Sequence, residues 1–136
     1  MTQFMSSRIL CVIDFSESTE ETLRYSAMLA QKLNNPLTIL YAYRLLQSWD
    51  GEAVETKNKI ETEALNKFHA IEKDIQRSGV PYDFKMEIGF ADDRIKDFTK
   101  KNKLSFLVVD KNLNDSYSNS LREIIEKNKK PLVVVP

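Results

Sequence analysis

The sequence predicts an α/β protein whose parallel sheet is covered by helices on both faces. Short, nearly continuous apolar runs alternate along the chain with segments in which apolar residues recur every three or four positions. This strand-helix pair occurs four times before a final apolar run, and such an order favours right-handed crossovers and a parallel sheet. Because the 136 residues show no break in composition, we expect one domain over residues 1–136.

The first elements follow from periodicity and capping signals. The apolar run 8–13 is typical of a strand covered on both faces. Ser18 with Glu21 three residues later predicts a capping box and the start of a helix, which the polar residues and proline at 34–36 end. The run 37–43 is then a second buried strand.

The middle of the chain predicts a long helix, a strand, a helix and a strand. Apolar positions between Ile60 and Ile75 have helical spacing, and Gly79 ends the helix. Residues 82–88 alternate apolar and charged side chains, which indicates a half-buried strand near a sheet edge. A helix that begins near Asp92 then leads to a fourth strand at 104–109.

The last part of the chain predicts a loop, a short helix and a strand. The polar residues 111–119 indicate a loop, and Ser120 with Glu123 predicts a second capping box at the start of the helix. Pro131 precedes the final strand, residues 132–135.

Composition excludes several classes of function. With 20 basic and 20 acidic residues the net charge is zero, so we expect no nucleic-acid partner. The glycines at 51, 79 and 89 lie too far apart for a glycine-rich phosphate loop. Cys11 and His69, the only residues of their types, cannot form a Cys/His zinc site or a disulfide within the chain.

Location is also an expectation from the sequence. Residues 1–7 lack a basic segment followed by a long apolar stretch, and the apolar runs elsewhere are short. We therefore expect a cytoplasmic protein without a membrane partner.

Several of these features together resemble the universal stress protein family over nearly the whole chain. The first strand runs into Asp14, Phe15 and Ser16, Gly89 precedes Ile95 by six residues, and Pro131 stands before a leucine and three valines. The order and spacing of these pieces are more specific than any one of them.

The resemblance implies a Rossmann-like fold, similar to the adenine nucleotide alpha-hydrolases, with the five strands in the order 3-2-1-4-5. In such folds ligands bind at the carboxyl ends of strands one and four, where the chain leaves the sheet toward opposite faces. In nucleotide-binding members an aspartate that ends the first strand bonds adenine and a small apolar residue in the second strand lines its pocket. Asp14 and Ala42 match these positions.

The family's glycine-rich phosphate loop has no match here. Its first two glycines correspond to Asp110 and Leu113, and Ser118 with Asn119 stands where the last Gly-Ser pair would be, which makes the loop five residues shorter. Glycine lets backbone N–H groups converge on an anion, whereas a carboxylate near Asp14 repels one. We therefore expect no tightly bound ATP and no cofactor.

Two weaker possibilities stay open at the same place. Ser118, Asn119 and Ser120 precede a predicted helix, so they form a weak anion site or simply cap that helix. Asp14 and Asp110 are two carboxylates that would suit Mg²⁺, although we expect no metal, and Asp14 is equally explained as a turn former.

Other candidates are explained by structure alone. His69 is expected at the surface and Cys11 inside a buried strand, without a catalytic role. Six lysines at two predicted helix ends are expected to complement the helix dipoles on a solvated face. They are Lys100, Lys101, Lys103, Lys127, Lys129 and Lys130.

The final strand suggests how the protein assembles. Leu132, Val133, Val134 and Val135 would form an uncharged edge strand, which is a pairing site unless covered. The resemblance also implies a homodimer through this strand.

Two functions are compatible with the sequence. The first is a non-catalytic, dimeric stress-response module that acts on protein partners the sequence does not name. The alternative is an adenine-nucleotide sensor that uses Asp14, Ala42 and the serine-rich loop after the fourth strand.

Overall fold

The computed structural model describes residues 7–45 and 51–136, which form a sheet with helices on both faces. All strand pairs are parallel, and the order is β3-β2-β1-β4-β5, as expected. In chain order the elements are β1 (Arg8–Ile13), α1 (Thr19–Leu33), β2 (Leu37–Tyr43), α2 (Gly51–Ile71), α3 (Lys73–Ser78), β3 (Tyr82–Ile88), α4 (Ala91–Lys101), β4 (Leu104–Asp110), α5 (Lys111–Asn128) and β5 (Leu132–Val135).

The central strand β1 explains why its sequence is continuously apolar. Ile9, Cys11 and Ile13 belong to the core on the side of α1, whereas Leu10 and Val12 belong to the core under α4 and α5. Successive side chains of a strand point to opposite faces, so a strand with helices on both sides needs apolar residues at every position.

The edge strand β3 and the end of α1 also agree with the sequence. None of the β3 residues is fully buried, which fits its alternating pattern. Asn34 ends α1 in the left-handed conformation with φ 56°.

The predicted capping box at the start of α1 is wrong, because Ser18 occupies the N-cap position without a side-chain capping bond.

The long helix predicted to end at Gly79 is two helices. Glu72 separates α2 from α3, and its carboxylate accepts a 2.6 Å hydrogen bond from the Tyr82 hydroxyl and lies 2.5 Å from His69 Nδ1. The second of the two helices, α3, packs against α1, where Arg24 and Asp74 form a 3.3 Å ion pair. Periodicity alone did not reveal the break because α3 retains a buried apolar residue.

The predicted loop at 111–119 is wrong and is replaced by the first half of α5. Asp110 is the N-cap, and its Oδ1 accepts a 2.8 Å hydrogen bond from the Leu113 N–H, so the helix begins at Lys111. Ser120 therefore lies inside the helix and forms no capping box. Tyr117, with φ −129° and ψ 27°, interrupts the helical backbone and marks a kink.

None of the helices in the described part of the chain is both long enough and apolar enough to cross a membrane.

Candidate functional site

The candidate site lies at the carboxyl ends of β1 and β4, where the chain leaves the sheet toward opposite faces. Asp14 directly follows β1, and Asp110 is the last residue of β4. Because β1 and β4 are neighbours in the parallel sheet, their ends meet at this edge. Ala42 is near the end of the adjacent strand β2 and packs against the core under α4 and α5.

Asp14 is an exposed turn residue. Its Oδ1 accepts a 3.0 Å hydrogen bond from the Ser16 N–H, which closes an Asx turn. Phe15, between them, has φ 59°, in the left-handed region that favours glycine. The loop between β1 and α1 is thus tightly folded, and the turn-forming role expected for Asp14 is present.

Asp110 is buried, with 2% of its surface exposed, and its carboxylate holds two segments together. Besides capping α5 through Oδ1, it accepts hydrogen bonds through Oδ2 from the Ser16 hydroxyl at 2.8 Å and the Ser18 hydroxyl at 3.4 Å. A buried carboxylate needs such donors to offset the loss of water. Asp110, which stands at the position of the first glycine of the family's phosphate loop, therefore links the β1-α1 loop to α5.

The sequence analysis missed Ser16 and Ser18 as partners of Asp110. Both serines stand near a helix start, where capping explains a serine without any distant contact. They lie 94 and 92 residues from Asp110 in the chain, so no local spacing connects them. The only available signal was topological, since β1 and β4 were expected to end side by side.

Ser118, Asn119 and Ser120 lie inside α5 and not in a loop. They directly follow the kink at Tyr117, near the middle of α5. Ser118 is eight residues after the N-cap of α5, Asp110, so the three residues are not in the first turn of α5. The serine-rich loop after the fourth strand is thus wrong as a structure, and nucleotide binding by these three residues stays a prediction.

An aromatic cluster, which the sequence analysis did not identify, covers the other side of the β1-α1 loop. The Phe15 ring meets the Tyr41 ring edge-on at 4.9 Å, and Tyr41 stacks on Tyr43 at 5.9 Å. The Tyr43 hydroxyl donates to the Glu61 carboxylate, and burial together with this carboxylate raises the pKa of Tyr43. Lys67 Nζ lies 5.7 Å from the centre of the Phe15 ring.

A shallow cavity of about 280 Å³ adjoins Phe15, between the start of α1 and the second half of α2. Two acidic residues, Glu17 and Glu20, line it together with Lys67 and the apolar Ile71. The wall thus carries two acidic side chains and one basic side chain, so its charge does not favour an anion.

Metal and thiol chemistry find little support in the described residues. Within 7–45 and 51–136, no group of three or more His, Cys, Asp or Glu side chains is placed to hold a metal ion. Burial raises the pKa of the Cys11 thiol to about 12, so the reactive thiolate is strongly disfavoured.

The β5 edge is the second feature of interest. The Leu107 N–H donates to the Pro131 carbonyl at 3.1 Å, and Val108 is the partner of Val133 in the parallel register. Backbone groups alternate in direction along a strand, so those of Val133 face β4 and those of Val134 face outward. The Val134 side chain is 38% exposed, so this edge offers both backbone and apolar surface.

Comparison with solved structures supports the fold. The universal stress protein UspA from Lactobacillus plantarum aligns with a TM-score of 0.77 at 14% identity, over 96% of this chain and 98% of that one. A universal stress protein from Archaeoglobus fulgidus in complex with dAMP aligns with a TM-score of 0.68 at 17% identity, over 98% and 100%. A universal stress protein in complex with cAMP gives 0.69 at 16% identity, over 97% and 98%.

Sequence comparison gives the family directly. A search of curated proteins found no match. The model of the universal stress protein family, however, matches residues 5–136, which is nearly the entire sequence. The chain therefore belongs to the universal stress protein family.

Proposed function

We propose that this protein is a non-catalytic, dimeric stress-response module that contacts other proteins and does not bind ATP tightly. The observation that carries the proposal is the Asp110 carboxylate, which accepts from the Leu113 N–H and from the Ser16 and Ser18 hydroxyls. These donors would otherwise be available to a phosphate at the start of α5.

Charge and shape both act against a phosphate at this point. A phosphate that approached the start of α5 would meet the negative charge of Asp110 in a buried setting, where repulsion is only weakly screened. Leu113 is also buried in the core under α5, so the first turn of the helix is anchored and is not a flexible glycine loop.

Calorimetric titration of the nucleotide-free protein with ATP and Mg²⁺ tests this part of the proposal. We expect no saturable heat at micromolar concentrations, with circular dichroism showing a folded protein. A dissociation constant of about 10 μM or tighter, roughly 7 kcal/mol, would contradict it.

The dimer is proposed to form by pairing of two β5 strands across a two-fold axis. The backbone N–H and carbonyl of Val134 face away from β4 in an uncharged edge strand, and its side chain is exposed, which favours pairing with a second copy. This interface leaves the two helical layers of each protomer accessible to protein partners.

Light scattering of two Val134 variants tests the pairing. Val134→Pro removes only an N–H that faces away from β4, so we expect a folded monomer. Val134→Thr keeps the N–H and the β-branched shape, so it should remain dimeric. A dimeric Val134→Pro protein would refute pairing through β5.

An adenine-nucleotide sensor is the alternative, supported by a different residue. The Asp14 carboxylate is exposed at the end of β1, and relatives of the same fold have been solved with dAMP and cAMP. If this alternative holds, AMP or cAMP will bind to the wild type and Asp14→Ala will weaken that binding, whereas under the first proposal Asp14→Ala changes the binding of neither ligand.

A further inference from the structure

We propose that a groove between α4 and α5 binds small, multiply charged phosphate compounds, independently of the site at Asp110. The groove is a cavity of about 270 Å³ near the C-terminal ends of both helices. Since α4 ends just before β4 begins, it lies at the end of the sheet opposite Asp110. Its walls carry Lys96 and Lys100 from α4 and Lys127 from α5, and the buried Ile124 adjoins them.

The lysines of the groove form no ion pair in the described part of the chain. Lys96, Lys100 and Lys127 have no acidic partner within 4.0 Å in the part of the chain that the structure describes. Glu123 is the one acidic residue among those that line the cavity, which leaves an excess of two positive charges there. Like charges one helical turn apart, as in Lys96 and Lys100, destabilise a helix, and a bound anion would remove this repulsion.

Helix dipoles explain only part of this arrangement. Cations are favoured in the last turn of a helix, which accounts for Lys100 in α4 and Lys127 in α5. Lys96 stands before the last turn of α4, which ends at Lys101, and it faces the same cavity. The structure thus brings Lys100 and Lys127, which were expected on a solvated face, together with Lys96 around one concavity that has an excess of positive charge.

The chemistry of the lining selects phosphate oxygens rather than a nucleobase. Lysine ammonium groups act as compact point charges that bind phosphate oxygens, and three of them around one cavity favour a multiply charged anion. The Thr99 hydroxyl donates to the Lys96 carbonyl and the Asn128 amide to the Ile124 carbonyl, both at 2.8 Å. Recognition therefore depends on charge, and a free polyphosphate and the triphosphate of a nucleotide are equivalent ligands.

Inorganic tripolyphosphate is the probe for this proposal. In a titration at low salt followed by ¹⁵N amide chemical shifts, we expect saturable shifts at the C-terminal ends of α4 and α5. The double variant Lys100→Gln, Lys127→Gln should bind about tenfold more weakly, as for the loss of two screened charge pairs. Lys32→Gln, Lys59→Gln removes two exposed lysines outside the groove, and this variant should bind like the wild type.

Further ligands separate the groove from the site at Asp14. We expect ATP to cause the same shifts as tripolyphosphate with a similar affinity, weaker than the dissociation constant of about 10 μM that would contradict the proposed function, and orthophosphate to bind more weakly still. Equal weakening in both double variants would overturn the proposal, because it would indicate general electrostatic attraction. Shifts around Asp14 with ATP but none with tripolyphosphate would also overturn it, and would support the nucleotide sensor instead.

Discussion

Replacing Asp110 by alanine tests the link that this carboxylate makes between α5 and the β1-α1 loop. The substitution removes the cap of α5 and leaves the Ser16 and Ser18 hydroxyls without their acceptor. Because one buried carboxylate makes all three contacts, we expect the substitution to lower the free energy of unfolding and to leave the protein surface nearly unchanged.

The magnitude follows from the individual contacts. Loss of an N-cap residue costs about 1 kcal/mol. A hydrogen bond to a charged group contributes about 1.5–3 kcal/mol, and the Ser16 bond at 2.8 Å fits that class, whereas the Ser18 bond at 3.4 Å adds little. Allowing for relaxation of the partly buried serines, we expect Asp110→Ala to lose about 2–4 kcal/mol.

Urea unfolding followed by circular dichroism measures the loss, with two variants as controls. Asp110→Asn keeps an oxygen for the Leu113 N–H but loses the charge, so it should cost about half as much. Asp14→Ala removes one bond of an exposed turn and should cost less than about 1 kcal/mol. If Asp110→Ala and Asp14→Ala were equally stable within about 0.5 kcal/mol, the proposed link would be refuted.

Three further predictions concern other parts of the chain. The Cys11 thiol, with its pKa raised to about 12 by burial, should react with a disulfide reagent only after unfolding. Hydrogen bonds from Tyr82 and His69 lower the pKa of Glu72 below its ordinary value of 4.5, so this carboxylate adds stability above that pH and loses it as the pH falls. Urea unfolding across this range should therefore show a steeper loss for the wild type than for Glu72→Gln. Gly89 has φ 133°, and an added Cβ would lie 3.2 Å from the Arg94 side chain, so Gly89→Ala should cost about 1–3 kcal/mol in thermal unfolding.

Each of these has a result that contradicts it. Rapid labelling of native Cys11 would show that the thiol is accessible. Identical acid sensitivity of the wild type and Glu72→Gln would remove Glu72 as a source of pH dependence. A fully stable Gly89→Ala protein would mean that the turn after β3 accommodates a side chain, with Gly79→Ala, at φ 73° but in open space, as the comparison.

The sequence predicted the local elements well where one periodicity dominates. The run Arg8–Ile13 and the alternation in Tyr82–Ile88 identified a central and an edge strand, because side-chain direction in a strand depends only on the position of each residue. The polar composition of 111–119 led to a wrong prediction of a loop. Asparagine, serine and aspartate favour loops locally, whereas the cap at Asp110 and the buried Leu113 stabilise a helix there.

The sequence by itself determined the alternation of strands and helices, the family, and the absence of the glycines of its phosphate loop. Only the tertiary structure decided that a buried Asp110 bonded to Ser16 and Ser18 stands in their place, and that three lysines line a groove between α4 and α5 at the other end of the sheet. The physical reason is the distance along the sequence over which each effect acts. Propensity and periodicity act over a few neighbouring residues, whereas these two features join groups that only the folded sheet and its helices bring within contact distance.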